Sequence, residues 1–166
     1  MKPRIYLAGP TVFYADAVEA GARLVALCAA HGCDGRYPLD FALDGEMSAP
    51  AIQQACLREL KSCQGVVADL SPFRGPHVDD GTAFELGYAH ALGLPIWAFT
   101  TDPRPMVMRI VGSKAADGHL RDADGVMIED FGKAHNAMLS ETVLHLADNA
   151  EDCIRIAAHA LRAAAG

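Results

Sequence analysis

The chain has 166 residues, 51% of them hydrophobic, and a formal net charge of −7. That length and composition describe one globular domain with a core of its own and exclude a disordered chain. The acidic balance, with no block of Lys or Arg, argues against a nucleic-acid polymer as partner, and every apolar run is too short to cross a bilayer.

The elements follow in chain order. Residues 3–8 (Pro-Arg-Ile-Tyr-Leu-Ala) read as a short buried strand ended by Gly9-Pro10. Their apolar part, residues 5–8, is too short for the core of a secretory signal, so a cytoplasmic location is the default expectation. Residues 15–31 read as a helix, with Val18, Ala22, Val25 and Cys28 at spacings of three and four, and Gly32 as its stop. Residues 34–38 suggest a second strand closing at Pro38. Residues 39–50 read as a loop, with Asp44-Gly45 and Pro50 as turn signals. A helix is expected over 51–63. Gly-Val-Val-Ala-Asp-Leu (65–70) is the clearest strand, followed by a helix over 81–92 with Gly93 as its stop, and a strand over 94–99. Residues 100–124 are ambiguous, 125–129 suggest one more strand, and 140–164 read as helical with a possible break near Asp148-Asn149.

This alternation predicts a single α/β domain over residues 1–166: a parallel-sheet, Rossmann- or flavodoxin-like sandwich with helices on both faces. Such sheets bind ligands at the carboxyl ends of their strands, which directs attention to loops 9–14, 38–50, 70–81 and 100–110. The five cysteines (28, 33, 56, 63 and 153) are odd in number and lack C-x-x-C spacing, so they read as reduced, mostly buried thiols. The seven histidines show no metal-ligand spacing, and no metal site is expected.

The loop after the clearest strand carries Asp79, Asp80 and Glu85 within seven positions, beside a helix start at Gly81-Thr82. Two readings apply. An aspartate before a helix is commonly its cap, and a glutamate in or near the first turn commonly offsets the dipole. The same placement also suits an ionised carboxylate at a catalytic site, and the dense Gly and Pro content lets backbone approach a ligand.

Three segments, taken in order, resemble the nucleoside 2-deoxyribosyltransferase family: Tyr6-Leu-Ala-Gly-Pro, the run 66–75 (Val-Val-Ala-Asp-Leu-Ser-Pro-Phe-Arg-Gly), and Asp79-Asp-Gly-Thr-Ala-Phe-Glu85-Leu-Gly-Tyr-Ala. Phe-Arg-Gly-Pro and Gly-Thr-Ala-Phe-Glu look most like its purine-specific branch. Phe131-Gly-Lys-Ala-His-Asn136-Ala-Met138 resembles the family's Asn-x-Met element, and the likeness spans roughly residues 4–140. The resemblance implies Glu85 as the nucleophile toward the anomeric carbon, Asp79 as the group that assists the departing base, and Tyr6 as the residue that orients the nucleophile. It implies Asn136, lent by a neighbouring subunit, as partner of the sugar 5′-hydroxyl, with Met138 beside it. Phe13 is a candidate wall residue, though it could equally be core. Gly9, Asp69 and Arg74 complete the expected substrate-binding set. The likeness departs at Cys56, where the family usually has Asn or Asp, and at Gln64, often Asp; residues 110–124 have no counterpart.

The implied chemistry suits these residues. Cleaving an N-glycosidic bond builds positive charge on the sugar, which a carboxylate beneath the anomeric carbon stabilises and then bonds. A carboxylic acid near the base supplies the proton that lets it leave. The expected partners are therefore deoxynucleosides and free nucleobases, with no cofactor, no membrane, and a homo-oligomer that shares its active sites. Two other functions are compatible. A hydrolase of deoxynucleoside 5′-monophosphates would use Glu85 similarly and need phosphate donors, for which Arg74 and Ser71 are candidates. A nucleotide-sensing module would bind without turnover.

Overall fold

The computed structural model describes residues 2–42 and 48–164. In chain order its elements are β1 (Arg4–Ala8), α1 (Ala17–Ala30), β2 (Asp34–Arg36), α2 (Leu39–Ala42), α3 (Ala49–Lys61), β3 (Gly65–Asp69), α4 (Asp80–Ala91), β4 (Ile96–Phe99), β5 (Gly112–Lys114), β6 (Leu120–Asp122), α5 (Ala137–Thr142), β7 (His145–Ala147) and α6 (Ala150–Ala164). Short 3-10 turns occupy Pro10–Phe13 and Met106–Met108.

Five strands form one parallel sheet in the order β2-β1-β3-β4-β7. The central strands are short unbroken apolar runs because both of their faces are covered. Alternate side chains separate into two cores: Ile5, Leu7, Val67 and Trp97 on one side, Tyr6, Ala8, Val66, Ala68 and Ile96 on the other. α6 closes the first core with Cys153, Ile154, Ala157, Ala158 and Leu161, and α1 adds Cys28. α3 and α4 close the second with Leu60, Leu86 and Ala89. The expected doubly covered parallel sheet is the fold observed. Its order reverses between β1 and β3, since β1 leads outward to β2 and β3 leads outward to β4. The loops leaving these two strands therefore diverge and leave a crevice between them.

Three expectations need correction. Residues 140–164 are not one helix. α5 ends at Thr142, and β7 pairs with the edge of β4 through Trp97↔His145, Ala98↔Leu146 and Phe99↔Ala147. Leu139, Val143, Leu144 and Ala147, although at helical spacing, do not share a face. Leu139 and Val143 join one core, Ala147 the other, and Leu144 is exposed. Pairing with an open parallel edge outweighs weak local periodicity. The break near Asp148-Asn149 is real, and the Asn149 side chain accepts from the Asp152 amide as α6 begins. Residues 125–129 do not add a strand to the sheet; the extra pairing is the antiparallel hairpin β5–β6, to which Met127 adds one bridge. Residues 39–42 form a short helix rather than loop, whereas the Asp44-Gly45 turn lies outside the described residues. All five cysteines are free, four of them buried. Among the described residues, no helix is long and apolar enough to cross a membrane, and no cluster of His, Cys, Asp or Glu suits a metal ion.

Candidate active site

The crevice between β1 and β3 is built on a glycine. β1 ends into Gly9, whose φ of 153° and ψ of 167° lie in a region only glycine adopts readily. A Cβ there would stand 2.8 Å from the Cβ of Asp69, at the end of β3. Gly9 thus lets the chain cross the mouth of its neighbouring strand at van der Waals range. Asp69 faces its own loop: its Oδ1 accepts from the Ser71 amide at 2.9 Å, starting the turn away from the sheet. Burial raises the Asp69 pKa. Ser71 is itself buried, and its hydroxyl accepts from the Thr101 amide at 3.1 Å, so it braces two loops.

At the tip of that loop Arg74 takes φ 51°, the one left-handed non-glycine position among the described residues. Its guanidinium lies 4.8 Å from the Phe73 ring centroid and 5.7 Å from that of Phe13, and the two rings stack at 5.5 Å. Such cation–π contacts hold a short loop against the opposite wall. Phe13 is thereby a wall residue with more than half of its surface exposed, not core.

The loop returns to the site through Asp79, which caps α4. Its Oδ2 accepts from both the amide and the hydroxyl of Thr82, each at 2.8 Å. The capping expectation is therefore correct, and it leaves the second carboxyl oxygen of a buried residue free of that duty. Glu85 follows in the second turn of α4. Its Oε1 accepts a 2.5 Å hydrogen bond from the hydroxyl of Tyr6, a fully buried residue of β1. Burial pushes the Glu85 pKa up to about 7; the Tyr6 hydroxyl opposes that rise and the nearby Asp79 adds to it. Burial, reinforced by Glu85, raises Tyr6 well above the usual phenol range and keeps it a donor. Cys56 of α3 stands against the same pair; burial raises its thiol pKa, and Tyr6 opposes that rise.

Gly9, Phe13, Cys56, Asp79 and Glu85 line one cavity of about 340 Å³. One side of α3 faces this space: Ala49, Ile52, Gln53, Cys56 and Leu57 follow the i, i+3, i+4, i+7, i+8 rule. Such a stripe normally marks a helix face packed on a core, and here it faces a cavity. Ile52 and Phe84, which make the walls apolar, were not anticipated from the sequence. The periodicity of 49–57 was the available signal, and it indicates a buried face without telling cavity from core. Arg74 and Asp69 frame this cavity without lining it.

Asn136 and Met138 lie elsewhere. Asn136 caps α5, its side-chain oxygen accepting from the Leu139 amide at 3.1 Å, and it lines a second cavity across the 76–80 loop. Met138 is 79% exposed. Within one chain, then, Tyr6, Asp79 and Glu85 converge, while Asn136 and Met138 do not reach them.

A buried carboxylate pair at the switch point of a parallel sheet is an arrangement suited to nucleophilic and acid–base chemistry on a bound ligand. Residues 5–138 match the family profile described as nucleoside 2-deoxyribosyltransferase. A 2-desoxiribosyltransferase of known structure from Leishmania mexicana is 36% identical, superposes with a TM-score of 0.80, and aligns over 95% of this chain and 97% of its own. An uncharacterised protein of Schizosaccharomyces pombe is 32% identical over 157 residues, covering 82% of this chain and 74% of its own. A 2-deoxyribosyltransferase from Bacillus psychrosaccharolyticus shares the fold at a TM-score of 0.60 and 18% identity, over 90% of this chain and 88% of its own. The chain belongs to the nucleoside 2-deoxyribosyltransferase family, and it is an enzyme of the deoxyribosyl-transfer class.

Proposed function

We propose that the enzyme exchanges nucleobases, purines by preference, on 2-deoxyribose through a covalent ester between the sugar and Glu85. The observation that carries this reading is the Tyr6–Glu85 hydrogen bond of 2.5 Å at the wall of an apolar cavity that also contains Asp79. The Glu85 carboxylate attacks the anomeric carbon from one face of the sugar. The N-glycosidic bond breaks, its electron pair leaves with the base, and a ring nitrogen of the base takes up a proton delivered by way of Asp79. A second base then attacks the same carbon, returns its proton to Asp79 and releases Glu85, so that two inversions give net retention. Tyr6 fixes the angle of the nucleophile and tempers its basicity. Purine preference rests on the Phe-Arg-Gly-Pro and Gly-Thr-Ala-Phe-Glu segments and on the aromatic wall at Phe13 and Phe84. The chemistry fits a base-salvage role, and five free thiols suit the reducing cytoplasm.

Asn136 and Met138 enter the site of a neighbouring subunit. Two facts support this: neither lines the Glu85 cavity of its own chain, and the capping bond of Asn136 uses only its oxygen, leaving the amide nitrogen to donate to a sugar 5′-hydroxyl. A two-fold dimer would make two such sites.

The test is incubation with deoxyinosine and free adenine. Formation of deoxyadenosine without free deoxyribose supports transfer. Release of free deoxyribose in place of exchange, or of deoxyribose 5′-phosphate when deoxyinosine 5′-monophosphate replaces deoxyinosine, marks a hydrolase, and binding with no turnover marks a sensing module.

A further inference from the structure

A second cavity, of about 430 Å³, lies on the far side of the 76–80 loop from Glu85. Asp79 faces the catalytic cavity, and the next residue, Asp80, lines the second one. The walls of this second space come from the 3-10 turn at Met106–Met108, the segment 126–129 and α5. Two polar groups in it stand out. Arg109 uses Nη1 to donate to the Pro76 carbonyl at 2.9 Å, yet its Nε and Nη2 atoms are buried and have no hydrogen-bond partner among the described residues. His135 is 94% buried, being 6% exposed, and its Nε2 is likewise buried and unpartnered. Leaving such groups unpaired in a folded protein is costly, because each loses its water without replacement.

We propose that this cavity binds a small organic molecule through an oxyanion, a phosphate or a carboxylate, held by the Nε/Nη2 edge of Arg109 and by His135. That edge of a guanidinium presents two parallel N–H donors, the geometry that matches two oxygens of one planar or tetrahedral anion. Burial, with the nearby Arg109 charge adding to it, pushes the His135 pKa down to about 4, so the imidazole is neutral at physiological pH and serves as a hydrogen-bonding group rather than a second charge. Asp80, Asp122 and Glu129 also line the cavity. They do not satisfy Arg109, whose Nε and Nη2 have no partner among the described residues: Asp122 Oδ1 accepts from the Asp124 and Val126 amides, and Glu129 Oε2 from the Ala137 amide at 2.8 Å. They are placed to accept hydrogen bonds from hydroxyl or amino groups elsewhere on the same ligand. Its two anion donors, Arg109 and His135, lie outside the proposed Glu85 machinery; of the residues given a role there, Asn136 also borders this cavity.

Isothermal titration of the full-length enzyme with three probes tests the proposal: inorganic phosphate, deoxyadenosine 5′-monophosphate and benzoate. At least one should bind, and binding should persist when the catalytic cavity is saturated with adenine. The pattern across probes separates phosphate from carboxylate as the oxyanion recognised. Arg109→Met should weaken binding by about tenfold or more, as expected when a charge-assisted pair of hydrogen bonds is lost. Arg109→Lys keeps the charge without the fork, and His135→Phe removes the imidazole; each should bind more weakly than wild type. Thermal melting identifies which variants remain folded, and any one folded variant suffices. No binding of any probe to the wild-type enzyme overturns the proposal. Competition by adenine, or unchanged affinity in a folded Arg109 variant, overturns it equally.

Discussion

The Tyr6 hydroxyl donates to Glu85 Oε1 at 2.5 Å across 79 positions of sequence, joining the middle residue of β1 to the second turn of α4. Neither side chain has much freedom: Tyr6 is fully buried in the sheet, and Glu85 rides on a helix fixed by the Asp79–Thr82 cap. The carboxylate proposed as the nucleophile is thus held by rigid elements and not by a loop, which is what a reaction needing sub-ångström placement requires.

Glu85→Ala is expected to lower base exchange by at least about three orders of magnitude, the scale typical of losing a covalent nucleophile. Circular dichroism should show the fold retained, because Glu85 packs against a cavity and not within either core. Near-normal exchange by a folded Glu85→Ala enzyme would remove Glu85 from the reaction.

The acid limb of kcat/KM should follow Glu85, whose pKa lies at about 7. Below that pH the carboxyl is protonated and cannot attack, so activity should fall about tenfold per pH unit. The Tyr6 hydrogen bond lowers this pKa, so Tyr6→Phe should move the limb to higher pH as well as reduce the rate. A limb that stays in place in Tyr6→Phe would mean that Tyr6 does not tune the carboxylate.

The same shift has a consequence for stability. The folded-state pKa of Glu85 is raised above the ordinary carboxylate value of 4.5. The folded protein therefore holds the Glu85 proton over a window in which the unfolded chain has lost it. Its stabilising effect is complete below pH about 4.5 and is lost as pH rises through about 7. Glu85→Gln, which cannot ionise, should match wild type near pH 4 and melt a few degrees higher above pH 8. Melting curves across pH for the two proteins give the difference directly; a gap that narrows as pH rises would contradict the buried-carboxylate description.

Asp79 has two duties that substitutions can separate. Asp79→Asn keeps an oxygen for the Thr82 amide and should leave the melting temperature close to wild type. It should slow natural purine deoxynucleosides more than substrates whose base departs without a proton. Asp79→Ala loses the cap as well and should cost about 1 kcal/mol of stability. Equal slowing of good and poor leaving groups by Asp79→Asn would assign Asp79 to positioning alone.

Much of this was legible in the sequence, for physical reasons that particular residues make plain. β1 and β3 are buried on both faces, so their residue runs are apolar without interruption and stand out. The Asp79 cap and the helix that carries Glu85 follow from local chemistry. What remained hidden depends on non-local contacts. β7 is three residues long and exists because the edge of β4 is open to it. The β5–β6 hairpin has an exposed first strand and no apolar alternation to mark it. The α3 stripe facing the cavity is indistinguishable from a core-facing one until α4 is in place. Cys56, read as a departure from the family pattern, proves to stand beside Tyr6, a neighbour that no spacing rule connects to it.

Mixing inactive subunits tests the shared site. Glu85→Ala and Asn136→Ala proteins, dissociated and reassembled together, should regain part of the wild-type activity, because some mixed dimers contain one intact site. If subunit exchange is demonstrated and the mixture stays as inactive as its parents, Asn136 serves only as the cap of α5.

The covalent sugar–Glu85 ester is the central claim, and trapping it is the most direct measurement. A 2-fluoro-substituted deoxynucleoside with a good leaving base should load the enzyme and then release slowly, because the electron-withdrawing fluorine disfavours the cationic transition state of the second step. Mass spectrometry of the intact protein should show one added fluorosugar per chain, and peptide mapping should place it on Glu85, with none on Glu85→Gln. Free base released in step with the adduct, and the adduct discharged by added adenine, would complete the expected result. Normal base exchange in an enzyme that never carries the sugar, or carries it on another residue, would contradict the mechanism.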